Sequence, residues 1–461
     1  MDIPDWERYL LFLDKYSWIY DINMTRILLE ETLLKIPSAW AEYISNLSSD
    51  ELGCIPFGSL KDGCPTDFRE FVDEAVELAR PRFETGKLDD SSVLLPPVIR
   101  RGMSEKKQHE VCKLASLVAQ VARETDCSSV LDVGSGLGYL PQVLHSNYSY
   151  KVIGIDSESF HSTRANERLQ HSGCSQNIHH YTLKLEDHPS SIEGVKSVLR
   201  NCPPYEICAC GRKDVHHEER EIDDRYIMVA LHACGRLTPT FLQIFHQMEQ
   251  VSAAICIGCC YHKVEDKSGV LQGYFPLSDA IKGLMQNRYP ALKHGMKFGL
   301  RLACQETRDE WRHQTVSHHE RHSRHVFFRA VLQLAVEKYG LQWKKSRRHV
   351  ARKDHFTSFQ TFLEHVMRDI PSDTDTHCRA QRQILQDVHD RHLQLRPLVE
   401  VFTLLQVLLQ PVWEVLVLVD RCQWMREQPG NYITKVVCVF NACHSPRNLA
   451  MVVLRRSHMS D

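Results

Sequence analysis

Apolar positions recur at helical spacing over the first eighty residues, and the period then changes. Trp6, Tyr9, Leu10, Leu13, Tyr16 and Trp18 fall at mostly helical intervals, which predicts an N-terminal helix. A polar stretch containing Gly and Pro runs from Ser48 to Pro65, and a second helical segment follows from Phe68 to Leu78. Pro96-Pro97 and the Arg100-Arg101-Gly102 step predict a boundary. Ser104 is then placed to cap a helix whose Val111, Leu114, Ala115, Val118, Val121 and Ala122 share one face.

Past that helix, short β-branched runs alternate with helix-length connections: Val130–Val133, Lys151–Ile155, Ile178–Leu185, Ile227–Leu231 and Ala253–Ile257. That alternation predicts a parallel sheet covered on both faces. Lys435–Phe440 and Leu449–Leu454 are two further strand candidates, expected to close the sheet as an antiparallel pair. Residues 264–430 between these groups are mostly helical in pattern and rich in His and Arg. The expected organisation is a helical region at 1–100, an α/β core at 101–263, a helical insertion at 264–430 and a strand pair at 431–461.

Composition narrows the class. Of 461 residues, 43% are hydrophobic and 25% charged, ordinary globular usage that excludes a largely disordered or collagen-like chain. Lys+Arg 56 against Asp+Glu 58 gives −2, so no global positive field draws the chain to nucleic acid. The opening Met1-Asp2-Ile3-Pro4-Asp5-Trp6-Glu7 lacks the charged and apolar regions of a signal peptide. The 17 cysteines are therefore expected as reduced thiols in a cytoplasmic or nuclear protein.

The densest chemistry lies at Val130-Leu131-Asp132-Val133-Gly134-Ser135-Gly136-Leu137-Gly138-Tyr139, an apolar strand running into a glycine turn and a helix. Gly134 and Gly136 let the backbone approach a ligand, and Gly138 lets the following helix pack against the strand. The next strand ends in Asp156, placed to accept hydrogen bonds from both ribose hydroxyls of a bound nucleoside. Tyr139 stands where a dinucleotide fingerprint needs its third glycine. The pattern Asp-Val-Gly-Ser-Gly-Leu-Gly instead resembles motif I of the class I S-adenosylmethionine-dependent methyltransferases. That resemblance implies that Gly134, Ser135, Gly136 and Gly138 lie against the cofactor and that Asp156 holds its ribose. Glu186 and Asp187 would meet its adenine.

The later strand ends sharpen the resemblance. Strand four runs into Leu231-His232-Ala233-Cys234-Gly235 and strand five into Gly258-Cys259-Cys260-Tyr261-His262. In an open α/β sheet, such carboxyl ends border the ligand crevice. With Met103 to Val111 before the core and Ser445-Pro446-Arg447-Asn448 in the terminal hairpin, the chain resembles the methyltransferase-like 25 family. Within it the match is to the B branch, whose label refers to ribosomal RNA adenine dimethylation. The resemblance implies a Rossmann-like methyltransferase core, S-adenosylmethionine as cofactor, and Lys107 and His109 near the cofactor carboxylate. The adenine label is discounted: Asn201-Cys202-Pro203-Pro204-Tyr205 carries an intervening cysteine and precedes strand four instead of ending it.

His232 and His262 are the base candidates for an acceptor hydroxyl or amine, with shaping of the pocket as the rival role. Cys234, Cys260 and Tyr261 are expected to line the acceptor side. No metal is assigned: in Cys256-Ile257-Gly258-Cys259 the two thiols would point to opposite faces of a strand, and Cys202, Cys208, Cys210, His216 and His217 lack a standard zinc interval. The basic run Lys344–Lys353 keeps RNA open as a partner, although a solvated helix face needs no more than charge. The acceptor is read as RNA or protein. From Leu398 to Asp420, 16 of 23 residues are apolar, long enough to span a bilayer. Glu400, Thr403, Gln406, Gln410 and Glu414 form a polar stripe, however, and Pro411 interrupts it, which favours a buried helix over a membrane segment. A catalytically silent binding protein and a membrane-anchored one are the competing readings.

Overall fold

The computed structural model describes residues 5–80, 93–172, 176–206, 225–264, 274–305, 307–343, 356–368 and 375–456. Its centre is a sheet of seven strands: β1 Ser129–Val133, β2 Lys151–Asp156, β3 Ile178–Thr182, β4 Tyr226–Ala233, β5 Val251–Gly258, β6 Tyr432–Cys438 and β7 Leu449–Arg455. Their order is β3-β2-β1-β4-β5-β7-β6. The first five are parallel, and β7 runs antiparallel to both β5 and β6. This is the expected mostly parallel sheet with an antiparallel C-terminal pair.

Period-two alternation sorts the strand residues into two cores. Val130, Val152, Ile227, Val229 and Ile255 face helices Glu105–Thr125 and Tyr139–Tyr148 through Val111, Leu114, Val118, Leu140 and Val143. Leu131, Ile153, Met228, Ala230 and Ala254 face the other way, onto Val195, Leu199, Phe241, Leu242 and Phe245. Because both faces are covered, β1, β2 and β5 are buried along their whole length, which is why they read as continuous apolar runs. Strand β3 stops at Thr182, short of the expected Leu185, as an edge strand whose last expected residues have no partner strand on one side. Strand β4 runs past the expected Leu231, and its register against β5 slips between Ala230 and Ala233. Such a bulge bends the strand and re-aims side chains; His232 lies within it.

The chain divides into two compact units, Met1–Arg80 with Asn287–Trp413, and Pro81–Gln286 with Glu414–Asp461. The N-terminal helices and most of the expected insertion thus form one helical unit. The boundaries expected at 100, 263 and 430 fall instead at 80, 286 and 413. Helix Arg396–Glu427 contributes to both units: Leu418, Cys422 and Met425 at its end pack in the sheet core. The stretch Thr376–Glu427 is long and apolar enough to cross a membrane, but 94% of its most apolar window is buried inside the structure. The polar stripe is satisfied there, with Gln406 Nε2 donating to Ile19 O and Gln410 Nε2 to Ala303 O. The basic run Lys344–Lys353 and the residues Cys208, Cys210, His216 and His217 lie outside the described residues.

Candidate active site at the carboxyl edge of the sheet

The glycine turn after β1 is held by the sheet itself. Gly134 N and Ser135 N both donate to Ile155 O, at 2.7 and 3.1 Å, and Gly138 N donates to Ser135 O at 3.0 Å. Gly134, Gly136 and Gly138 have φ of 74°, 54° and 73°, left-handed conformations that cost other residues about 1–2 kcal/mol. Their surroundings differ. A Cβ on Gly138 would lie 2.7 Å from the His180 ring, whereas one on Gly136 would meet nothing within 4 Å. Gly138 is therefore required by internal packing, against His180 of β3, and Gly136 leaves its backbone open to approach. The residues present fit a nucleoside cofactor at Gly134 and Gly136.

Asp156 ends β2 as expected. Its Oδ2 accepts from Gly136 N at 2.9 Å, and its Oδ1 accepts from Glu158 N at 2.9 Å and lies 3.0 Å from His161 Nδ1. The carboxylate thus ties the glycine turn to β2, and its remaining lone pairs are what a ribose would use. Ser135 turns its hydroxyl inward, 3.5 Å from His180 Nδ1, which leaves its backbone as the part facing the crevice. Burial drives the pKa of His180 down to about 4, so the ring is neutral. Glu186 and Asp187 follow β3 on the surface, and the Glu186 carboxylate is paired with Lys184 Nζ at 2.6 Å.

A polar chain crosses the apolar floor beside this turn. Helix Glu105–Thr125, capped by Ser104 as expected, carries Lys107 and Glu110 one turn apart. Glu110 is 1% exposed. Its Oε2 lies 3.2 Å from His232 Nε2, and its Oε1 accepts from Ser445 Oγ at 2.8 Å. Burial opposes the Glu110 charge, yet hydrogen bonds to His232 and Ser445 hold its pKa below the usual glutamate value. Burial pushes the Asp132 carboxyl up to about 7, countered by Lys107 and reinforced by Asp156. Desolvation lowers the Lys107 pKa against the attraction of Glu110 and Asp132.

Several expected roles change. His109 turns to the terminal hairpin: Asn441 N donates to its Nε2 at 3.0 Å, and its ring stacks on His444. It anchors that loop instead of facing the glycine turn. Tyr261 does not line an open pocket. It is 1% exposed, its hydroxyl donates to Glu414 Oε1 at 3.2 Å, and Arg421 lies over its ring. Glycine at 258 makes room for it, since a Cβ there would stand 2.6 Å from that ring. His262 sits half-buried in the turn after β5. Cys234 is exposed, and Cys259 and Cys260 are half-buried beside it. The Asn201–Tyr205 stretch is pinned near the start of β3 by two hydrogen bonds between Asn177 and Glu206. That is the opposite edge of the sheet from the glycine turn, so it meets no cofactor-bound acceptor there.

Two residues escaped the sequence reading. Glu110 was legible as a carboxylate on an apolar face, four residues before Leu114. His180 carried no such signal, since its role follows from which strands become neighbours.

Residues 106–267 match a family described as methyltransferase domain. Over 467 residues the chain is 22% identical to "Probable methyltransferase-like protein 25" of Mus musculus, covering 77% of this chain and 75% of that protein. The Homo sapiens protein of the same name is 22% identical over 473 residues, with the same coverage. Among solved structures, coclaurine N-methyltransferase bound to N-methylheliamine and S-adenosylhomocysteine is 10% identical, covering 97% of this chain and 99% of its own, with a TM-score of 0.26.

Proposed function

From a chain that contains a methyltransferase domain and is a relative of methyltransferase-like protein 25, we propose an S-adenosylmethionine-dependent methyltransferase acting on an RNA or protein acceptor. The observation that carries the reading is the meeting, at the carboxyl ends of β1, β2 and β4, of an open glycine turn, a ribose acid and a carboxylate-held histidine. Gly134, Gly136 and Asp156 would hold the nucleoside part of the cofactor, and Lys107 its carboxylate. Bound there, the cofactor supplies an electrophilic methyl group on a sulfonium.

The protein then has to position the acceptor and take its proton. An ionised Glu110 favours the His232 tautomer with hydrogen on Nε2, which leaves the Nδ1 lone pair to accept a proton. His262, Cys234 and Cys260 border the same edge. The branch labelled for ribosomal RNA adenine dimethylation belongs to this proposal only through the Cys/His strand ends. Adenine N6 chemistry is not part of it. The Lys344–Lys353 run supports RNA by charge alone. A cytoplasmic or nuclear location completes the reading, with helix Arg396–Glu427 a buried core helix.

Calorimetry with S-adenosylmethionine and S-adenosylhomocysteine tests it, on wild type and on Asp156→Ala. Micromolar binding, about −8 kcal/mol, that weakens in the variant supports the assignment and moves the search to labelled-methyl transfer into RNA and protein fractions. A folded wild type that binds neither compound leaves the chain a scaffold that keeps the fold without turnover.

A further inference from the structure

We propose that Cys234, Cys259 and Cys260 form a zinc site at the carboxyl edge of β4 and β5, with three thiolate ligands and a fourth position open to solvent. The site goes beyond methyl transfer and stands or falls independently of it. The three Sγ atoms come from two neighbouring strand ends and lie within 4.8 Å of one another. Cys259 and Cys260 Sγ are 3.8 Å apart. Two thiolates on one tetrahedral zinc, each at about 2.3 Å, are separated by about 3.8 Å. Cys234 and Cys259 Sγ are 2.8 Å apart, farther than the ~2.05 Å of a disulfide, and this pair would open by about an ångström around the metal.

The backbone is shaped to bring these thiols together. Gly235 follows Cys234 with φ +55°, and a Cβ there would lie 2.3 Å from Lys263 O. The turns after β4 and β5 therefore touch backbone to backbone, an approach that only glycine permits. Cys259 and Cys260 lie beyond the last residue of β5, so strand alternation no longer forces them apart. This is where the spacing argument against a metal stops applying: Cys256 is buried within β5 and takes no part, and the partner of Cys259 is Cys234, 25 residues earlier.

The chemistry of the donors selects the ion. Three soft thiolates suit zinc over magnesium or calcium, and a site with three protein ligands keeps a coordination position for water or a substrate atom. Cys234 is exposed, which places that position on the solvent side. Binding converts three thiols and one Zn²⁺ into a trithiolate complex and releases the thiol protons to solvent. A Cys234–Cys259 disulfide would use two of the three sulfurs and needs an oxidant the structure does not hold.

The test uses the full chain, purified from a reducing cytosol without added metal. Elemental analysis should find one zinc per chain. Cobalt(II) added to chelator-stripped protein should give thiolate-to-metal charge transfer with tetrahedral ligand-field bands. Both signals should be lost in Cys234→Ser, Cys259→Ser and Cys260→Ser, and kept in Cys443→Ser. Should a serine variant misfold, wild-type protein gives the same decision: zinc should slow alkylation of Cys234, read by mass spectrometry, at least tenfold. Metal-free wild type without a cobalt band, bands that survive in the folded variants, alkylation indifferent to zinc, or a Cys234–Cys259 disulfide would each overturn the site.

Discussion

Glu110 and His232 stand 122 residues apart in the chain, and their side chains meet at 3.2 Å. One comes from the helix that enters the core, the other from a bulged strand end, and Ser445 of the terminal hairpin closes the group from a third direction. A buried carboxylate in that position orients an imidazole and stabilises it once it is protonated.

Glu110→Gln keeps a hydrogen-bonding side chain and removes the charge. We expect kcat for methyl transfer to fall about 10²-fold, with cofactor affinity unchanged by calorimetry. Full activity in this variant would refute the positioning role. The variant should also change acid stability. Because the Glu110 pKa is depressed below 4.5 in the fold, its contribution is present above that value and lost as pH falls through the folded pKa. Glu110→Gln should flatten that acid limb.

Asp132 works in the opposite sense. Burial pushes its carboxyl up to about 7 in the fold, from an ordinary aspartate value of 3.8. The folded chain keeps a proton that the unfolded chain releases between those values, so stability declines as pH rises across that window. The full difference is on the order of 4 kcal/mol. Asp132→Asn should raise Tm at about pH 8 and change it little near pH 4, by calorimetry at both. Equal Tm values at the higher pH would contradict a buried charged acid.

The three glycines of the turn should separate by experiment. Gly138→Ala forces a methyl group into the His180 ring at φ 73°, and should cost more than about 2 kcal/mol in urea unfolding. Gly136→Ala meets open space; it should cost about 1 kcal/mol and weaken cofactor binding about tenfold or more. If both variants lose only stability, the turn is a fold element and not a binding surface.

The apolar helix should behave as a core element. Alkaline carbonate should release the full chain from membranes, and Gln410→Leu, which makes the stretch more apolar while removing the bond to Ala303 O, should lower Tm without creating membrane retention. Retention of wild type after carbonate would overturn the buried-helix reading.

Most of the sheet was legible because its strands are buried on both faces and bounded by turns. Val130–Val133 and Lys151–Ile155 each lie within one residue of the observed limits. The glycine turn and Asp156 were readable because both sit within a few residues of a strand end. Tyr261 and His109 were harder. They sit beside the crevice in sequence, yet Tyr261 is committed to Glu414 and His109 to Asn441, partners 153 and 332 residues away. The thiol cluster was hidden for a related reason: spacing within one strand says nothing about a cysteine delivered by its neighbour. The two-unit division was unreadable because a continuous helix carries the chain across the break at Trp413.

That interleaving bears on how the protein is made. Strand β5 ends at Gly258, but β7, which pairs Leu454 with Ala253, leaves the ribosome about 200 residues later. At roughly 5–20 residues per second, the β5 edge stays uncovered for tens of seconds. The N-terminal helices likewise await Asn287–Trp413 while the first five strands are synthesised. Neither unit can finish before the other has begun, and an open edge of that lifetime is an aggregation hazard. Slow translation through 287–413 should therefore lower the yield of native protein, and a chaperone that shields β5 should restore it.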